Sequence, residues 1–221
     1  VKALTAWKPD LIIQMGDLID LASVSTYAKH PAKTKSLAQE VESARDIVDD
    51  IAGIGAKEVV VTLGNHDSRA SSYLVANAPD FLPFFDIDKV LGLHRPGWTV
   101  VPYKETYEIG QLRVTHDVGR AGVQAARQSV VDVGDNIVFG HTHRMQVSYQ
   151  GTQAGKRHVG ATLGWLGDSE HIDYRHKDMV KRDWQLGFGV AHMTPDGAFW
   201  LQAIPIVDYR CIIDGVVYVQ R

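Results

Sequence analysis

Two histidines at i and i+2, in Gly140-His141-Thr142-His143, directly follow a short apolar run, Ile137-Val138-Phe139. A strand ending there presents both imidazoles at its tip, and neutral imidazole is the commonest protein ligand for a transition metal. Three other apolar runs end in a ligand-type residue. They are Leu11-Ile12-Ile13-Gln14-Met15 into Gly16-Asp17, Val59-Val60-Val61-Thr62-Leu63 into Gly64-Asn65-His66-Asp67, and Leu112-Arg113-Val114-Thr115 into His116. The donors are mixed oxygen and nitrogen without thiolate, which points away from a structural zinc site. They point toward a catalytic site for one or two divalent ions, and a bridging carboxylate such as Asp17 holds two metals ~3.5–4 Å apart. His66 adjoins Asn65 too closely to share its ion easily and is better placed to reach a substrate. Asp17 and Asp20 can face one cavity, or serve as turn and helix-capping carboxylates.

These residues need strands to carry them. Val1 to Trp7 has helical spacing and is stopped by Pro9. Asp10 to Met15 is nearly all apolar, the pattern of a strand buried on both faces. Thr34 to Ala52 places Leu37, Val41, Ala44, Ile47, Val48 and Ile51 at helical spacing. Lys57 to Leu63 is the next buried strand, so the chain opens as an α/β layer with parallel pairing, its four ligand-bearing strand ends in one layer. Residues 70 to 105 read as irregular, with Leu82-Pro83-Phe84-Phe85 and Arg95-Pro96-Gly97-Trp98 as aromatic plugs. Glu105 to Ile109 and Leu112 to Thr115 flank Gly110-Gln111 as a hairpin. A helix over Gly119 to Val131 precedes the strand Asn136 to Phe139. Strands then follow over 145–149, 157–163, 187–193, 198–204 and 216–219, with Pro195-Asp196-Gly197 as a turn. The expectation is one domain over 1–221, with a ligand-bearing α/β half, 1–144, and a β-rich half, 145–221, forming a second sheet packed on the first.

Of the 221 residues, 45% are hydrophobic and 22% charged, enough to bury a full core, and the formal net charge of -3 argues against strong nonspecific nucleic-acid binding. The single cysteine, Cys211, reads as a buried apolar residue and suits a reducing, cytoplasmic compartment. No stretch reaches the ~20 apolar residues of a membrane span, and Val1 to Lys8 has no signal-peptide pattern.

The chain resembles the calcineurin-like metallophosphoesterases. The matching pieces are Gly16-Asp17-x-x-Asp20, Gly64-Asn65-His66-Asp67, the isolated His116 and Gly140-His141-x-His143, in the family's order between residues 10 and 144. The resemblance implies a four-layer α-β-β-α sandwich and hydrolysis of a phosphomonoester or phosphodiester by attack of a metal-bridging hydroxide. It implies two divalent ions, manganese first, with iron, nickel or zinc also accepted. Asp17 would bridge them; Asn65, His116 and His141 would complete one shell, and His143 would bind the other ion. His66 would meet the substrate phosphate and Asp20 would orient His66. The family's first motif, an Asp-x-His strand, is missing here. The expectation is that it lies upstream of Val1; otherwise the His143 site is incomplete.

The substrate would be a phosphorylated small molecule, a nucleotide or a nucleic acid. Two alternatives stand beside the phosphoesterase: a DNA nuclease of the repair-exonuclease type, and a non-catalytic binding module with a degenerate metal site. Arg69 and Arg144, each just past a ligand motif, are candidates to meet a phosphate, against the alternative of surface arginines. His171, Asp173, Tyr174, Arg175 and His176 are candidates to line the substrate side of the cleft, against a solvated loop. His94 reads as structural or surface.

Overall fold

The structure is a computed structural model that describes residues 1–26, 35–167 and 183–219. It is a mixed α/β chain with several sheets, few helices and, among the described residues, no closed barrel. It divides into two compact units, Val1–Tyr103 and the chain from Lys104 onward.

The first unit is built on a three-stranded parallel sheet in the order β1-β2-β3, with β1 Leu11–Gln14, β2 Glu58–Thr62 and β3 Trp98–Val101. The parallel pairing of β1 and β2 is the one the helix-strand alternation requires. Helix α1, Lys2–Trp7, closes at Lys8 in a left-handed conformation. Helix α2, Leu37–Gly53, is fixed at its start by a capping box, in which Ser36 and Gln39 satisfy each other's backbone N–H. Its inward stripe is Glu40, Ala44 and Val48, and Ala44 and Val48 share one apolar cluster with Val59, Val61, Leu91 and Leu93. Leu37 and Ile47, on the same expected stripe, stay nearly half exposed.

The second unit carries a five-stranded sheet in the order β4-β5-β6-β8-β7. Its strands are β4 Tyr107–Ile109, β5 Leu112–Thr115, β6 Ile137–Phe139, β7 Met145–Gly151 and β8 Arg157–Leu163. The expected two-residue hairpin joins β4 to β5, and β5, β6 and β8 run parallel. Helix α5, Ala125–Val133, packs closely on β8, because Gly160 has no side chain: a Cβ there would lie 2.3 Å from the Ala126 carbonyl oxygen. Two antiparallel pairs follow, β9 Gly187–Met193 with β10 Phe199–Pro205, and β11 Arg210–Ile213 with β12 Val216–Val219. Cys211 is buried, as its reading as a small apolar residue requires.

Three expectations need correction. The four ligand-bearing strands do not share one sheet: β1 and β2 belong to one, β5 and β6 to another, because the β4–β5 hairpin starts a new sheet. Strand β1 is half-buried throughout, as an edge strand of its sheet. Residues 70–105 are largely regular, with α3 Arg69–Asn77, a 3₁₀ stretch Pro79–Phe84, α4 Ile87–Leu91 and β3. Of the expected aromatic plugs, Phe85 and Trp98 pack against the first unit's apolar cluster, whereas Phe84 is 87% exposed. Among the described residues, no helix is long and apolar enough to cross a membrane.

Candidate functional site

In the first unit, two loops leave adjacent parallel strands and are tied together by one buried carboxylate. Gly16 and Asp17 both take positive φ, 86° and 57°, which turns the chain sharply off β1. The Gln14 side-chain amide brackets this turn, accepting from Gly16 N at 2.8 Å and donating to Gly16 O at 2.9 Å. Asp67, fully buried, accepts three backbone N–H bonds: from Asp17 at 2.8 Å, Ile19 at 3.2 Å and Gly64 at 2.7 Å. Burial pushes its carboxyl up, as does the nearby Asp17, while the Gly64, Ile19 and Asp17 N–H groups act in the opposite direction. In return, Asp17 Oδ1 accepts from His66 N at 2.9 Å. The two loops therefore hold each other by reciprocal carboxylate-to-backbone bonds across about fifty residues of sequence. Asn65 lies between the bonded residues Gly64 and His66 and is half-buried.

His66 sits against Asp20, with Nδ1 2.5 Å from Oδ1. Arg69 Nη1 donates to the same oxygen at 2.7 Å and to the Asp20 carbonyl at 2.6 Å. Burial raises the Asp20 carboxyl, but its contacts with His66 and Arg69 outweigh this and leave it below the ordinary range. His66 Nε2 is 4.0 Å from Asp17 Oδ2. Asp17, Asp20, Asn65 and His66 are thus brought into one cluster at the ends of β1 and β2.

In the second unit, His116 follows β5 and the paired histidines follow β6. Gly140 N donates to His116 O at 3.0 Å, so the strand pairing of β5 and β6 continues into the loop. His116 is buried, and its ring meets that of His141 edge-on, centroids 5.4 Å apart. His141 and His143 both sit at positive φ, 61° and 58°. Non-glycine residues take this conformation at a cost of roughly 1–2 kcal/mol each, and such strain concentrates at functional positions. His143 stacks on Trp165 at 5.2 Å and meets Trp184 edge-on at 4.3 Å. Its carbonyl accepts from Gln185 N at 3.0 Å, which ties the histidine loop to the segment carrying Trp184.

The residues singled out beyond the ligand motifs have mixed fates. Arg69 joins the His66 cluster. Arg144 does not stand free for a phosphate: its Nε donates to Asp183 at 2.5 Å and its Nη1 to the Ala121 carbonyl at 2.9 Å. His94 is at the surface, 3.8 Å from Asp86. His171, Asp173, Tyr174, Arg175 and His176 lie outside the described residues. Sequence reasoning missed the task of Asp67. The Gly-Asn-His-Asp motif displays the residue, but its three partners are backbone groups, two of them remote in sequence.

Within the first unit, Asp17 and Asn65 are oxygen donors of the kind hard and borderline divalent ions accept, and Gly64 leaves a space beside Asp17 that a Cβ would fill at 2.1 Å from Asp17 Oδ1. Within the second, the donors are imidazole nitrogens.

No family model matches the chain. It is similar to the Gene 54 protein of Mycobacterium phage D29, 28% identical over 96% of this chain and 87% of the relative. It is 27% identical, over the same shares, to the Gene 54 protein of Mycobacterium phage L5. Those names carry no activity.

Proposed function

We propose that the chain is a metal-dependent phosphoesterase of the calcineurin-like kind, hydrolysing a phosphomonoester or phosphodiester. The observation that carries this reading is the first unit's cluster. A carboxylate suited to metal binding, Asp17, and an imidazole backed by its own carboxylate, His66 with Asp20, are locked together by Asp67. A merely structural turn has no need of a half-buried imidazole held by a carboxylate at 2.5 Å.

Asp17, Asn65, His116, His141 and His143 would hold one or two divalent ions, manganese first. The ions would supply Lewis-acid polarisation of the phosphoryl group and activate water. The protein's own contribution is to position. Asp67 holds the Asp17 backbone, and the Asp20 carboxylate fixes the His66 ring. With Nδ1 directed at Asp20, Nε2 is the remaining ring nitrogen, 2.9 Å from Arg69 Nη2. The four-layer α-β-β-α sandwich implied by the family resemblance belongs to the same proposal.

The test is hydrolysis of bis-p-nitrophenyl phosphate with added Mn²⁺. The proposal expects turnover abolished by chelation and reduced about 100-fold or more in His66→Ala. Absence of turnover in the wild type under saturating metal would favour the binding-module alternative.

A further inference from the structure

Arg69 opens helix α3, and its side chain is only 13% exposed. Its Nη1 is anchored twice on Asp20, while its Nη2 lies 2.9 Å from His66 Nε2. A guanidinium only donates, so Nε2 must accept, and Nδ1 carries the proton that meets Asp20. Asp20, His66 and Arg69 therefore form a closed three-membered ring of side chains. Nη1 on Asp20 and Nη2 on the imidazole use the two prongs of the planar arginine fork, which a lysine ammonium does not reproduce.

The acceptor at Nη2 is a neutral imidazole. A phosphoryl oxygen is anionic, and a charge-assisted hydrogen bond is roughly twice as strong as a neutral one. We propose that Arg69 is both the positioning residue for His66 and the receptor for the substrate's phosphoryl oxygens. Nη1 stays on Asp20, and Nη2 passes from His66 Nε2 to the incoming anion. The exchange frees the Nε2 edge only once the ester is in place. This inference rests on the phosphoesterase reading, but one arm of its test does not need turnover.

The first arm measures bis-p-nitrophenyl phosphate hydrolysis by the full chain with Mn²⁺ for wild type, Arg69→Ala and Arg69→Lys. Loss of the arginine should raise KM about 10- to 100-fold. Lysine should restore little of this. The second arm follows the His66 ring nitrogens by ¹⁵N NMR while inorganic phosphate is added. The wild type should show a protonated Nδ1 and an Nε2 lone pair, with Nε2 shifting as phosphate binds. In Arg69→Ala and Arg69→Lys the phosphate-dependent shift should vanish. A KM unchanged in both variants, or a shift that persists in them, overturns the assignment while leaving the phosphoesterase intact. A wild type without turnover sinks the phosphoesterase reading, and an Arg69-dependent shift would then still establish the anion site. If Arg69→Ala does not fold, Arg69→Lys decides both arms, because it keeps the charge and removes the fork.

Discussion

Replacing Gly64 by alanine should damage the site more than any other single methyl group. An added Cβ would lie 2.1 Å from Asp17 Oδ1, 2.5 Å from Asp17 N and 2.8 Å from Asp17 Cγ, where real contacts stay above 3.0 Å. One of those atoms is backbone, so rotating the Asp17 side chain cannot relieve the overlap. The nearest contact must open by about 1 Å, and Asp17 is held by Asp67 on one side and His66 N on the other. Overpacking of this kind costs about 1–3 kcal/mol. A displacement on the order of 1 Å at a reacting centre costs roughly 100-fold in rate. The assay pairs urea unfolding with Mn²⁺-supported hydrolysis of bis-p-nitrophenyl phosphate. The control is Gly53→Ala at the end of α2, where an added Cβ meets nothing within 4 Å; it should be neutral or slightly stabilising. Gly64→Ala with wild-type rate, metal affinity and unfolding midpoint would refute the reasoning.

Three further outcomes follow from the same geometry. Asp67→Asn leaves one oxygen for three backbone donors and turns an NH₂ toward them; it should cost about 3 kcal/mol in urea unfolding, and a loss below about 1 kcal/mol would contradict the keystone role. His141→Gly should be more stable than His141→Ala by roughly 0.5–1 kcal/mol, since glycine relieves the positive φ and gives back part of that gain as chain entropy; equal or reversed stabilities would deny the strain. Glu40, on the inward face of α2, has both carboxylate oxygens 3.2 Å from Ala22 N, and burial raises its carboxyl above the ordinary range. A folded-state pKa above the unfolded one gives stability that is present at low pH and lost as pH rises through the folded value. The stability of the wild type relative to Glu40→Gln should therefore fall as pH rises from the acid side through the carboxylate range; the opposite slope in paired unfolding curves would contradict this.

Much of the fold is legible wherever pattern and punctuation agree. Strands β8, β9 and β12 have their expected bounds, because turn residues mark one end of each: Gly164 after β8, Pro195-Asp196-Gly197 after β9 and Asp214-Gly215 before β12. Helix α5 starts six residues later than the spacing suggests, after Gly119 and Gly122, and ends at Gly134 in the left-handed conformation. Strand β11 was missed, although Asp214-Gly215 between two apolar runs is a two-residue hairpin signal and both residues have positive φ. Helix α3 was not legible because it buries no residue fully, so no apolar stripe marks it. In the site, the residue types at strand ends were readable from the motifs. The couplings were not: Asp67 to Asp17 and Arg69 to Asp20 each span about fifty residues and use groups that any sequence carries. The division of the ligand strands between two sheets was equally hidden, since periodicity reports burial and not which neighbour a strand pairs with.

The most direct measurement is anomalous diffraction from crystals of the full chain grown with Mn²⁺. The account predicts a peak within bonding distance of Asp17, Asn65, His116 and His141. Peaks confined to the surface group Asp86, Asp88 and His94, or none at all under saturating metal, would contradict it.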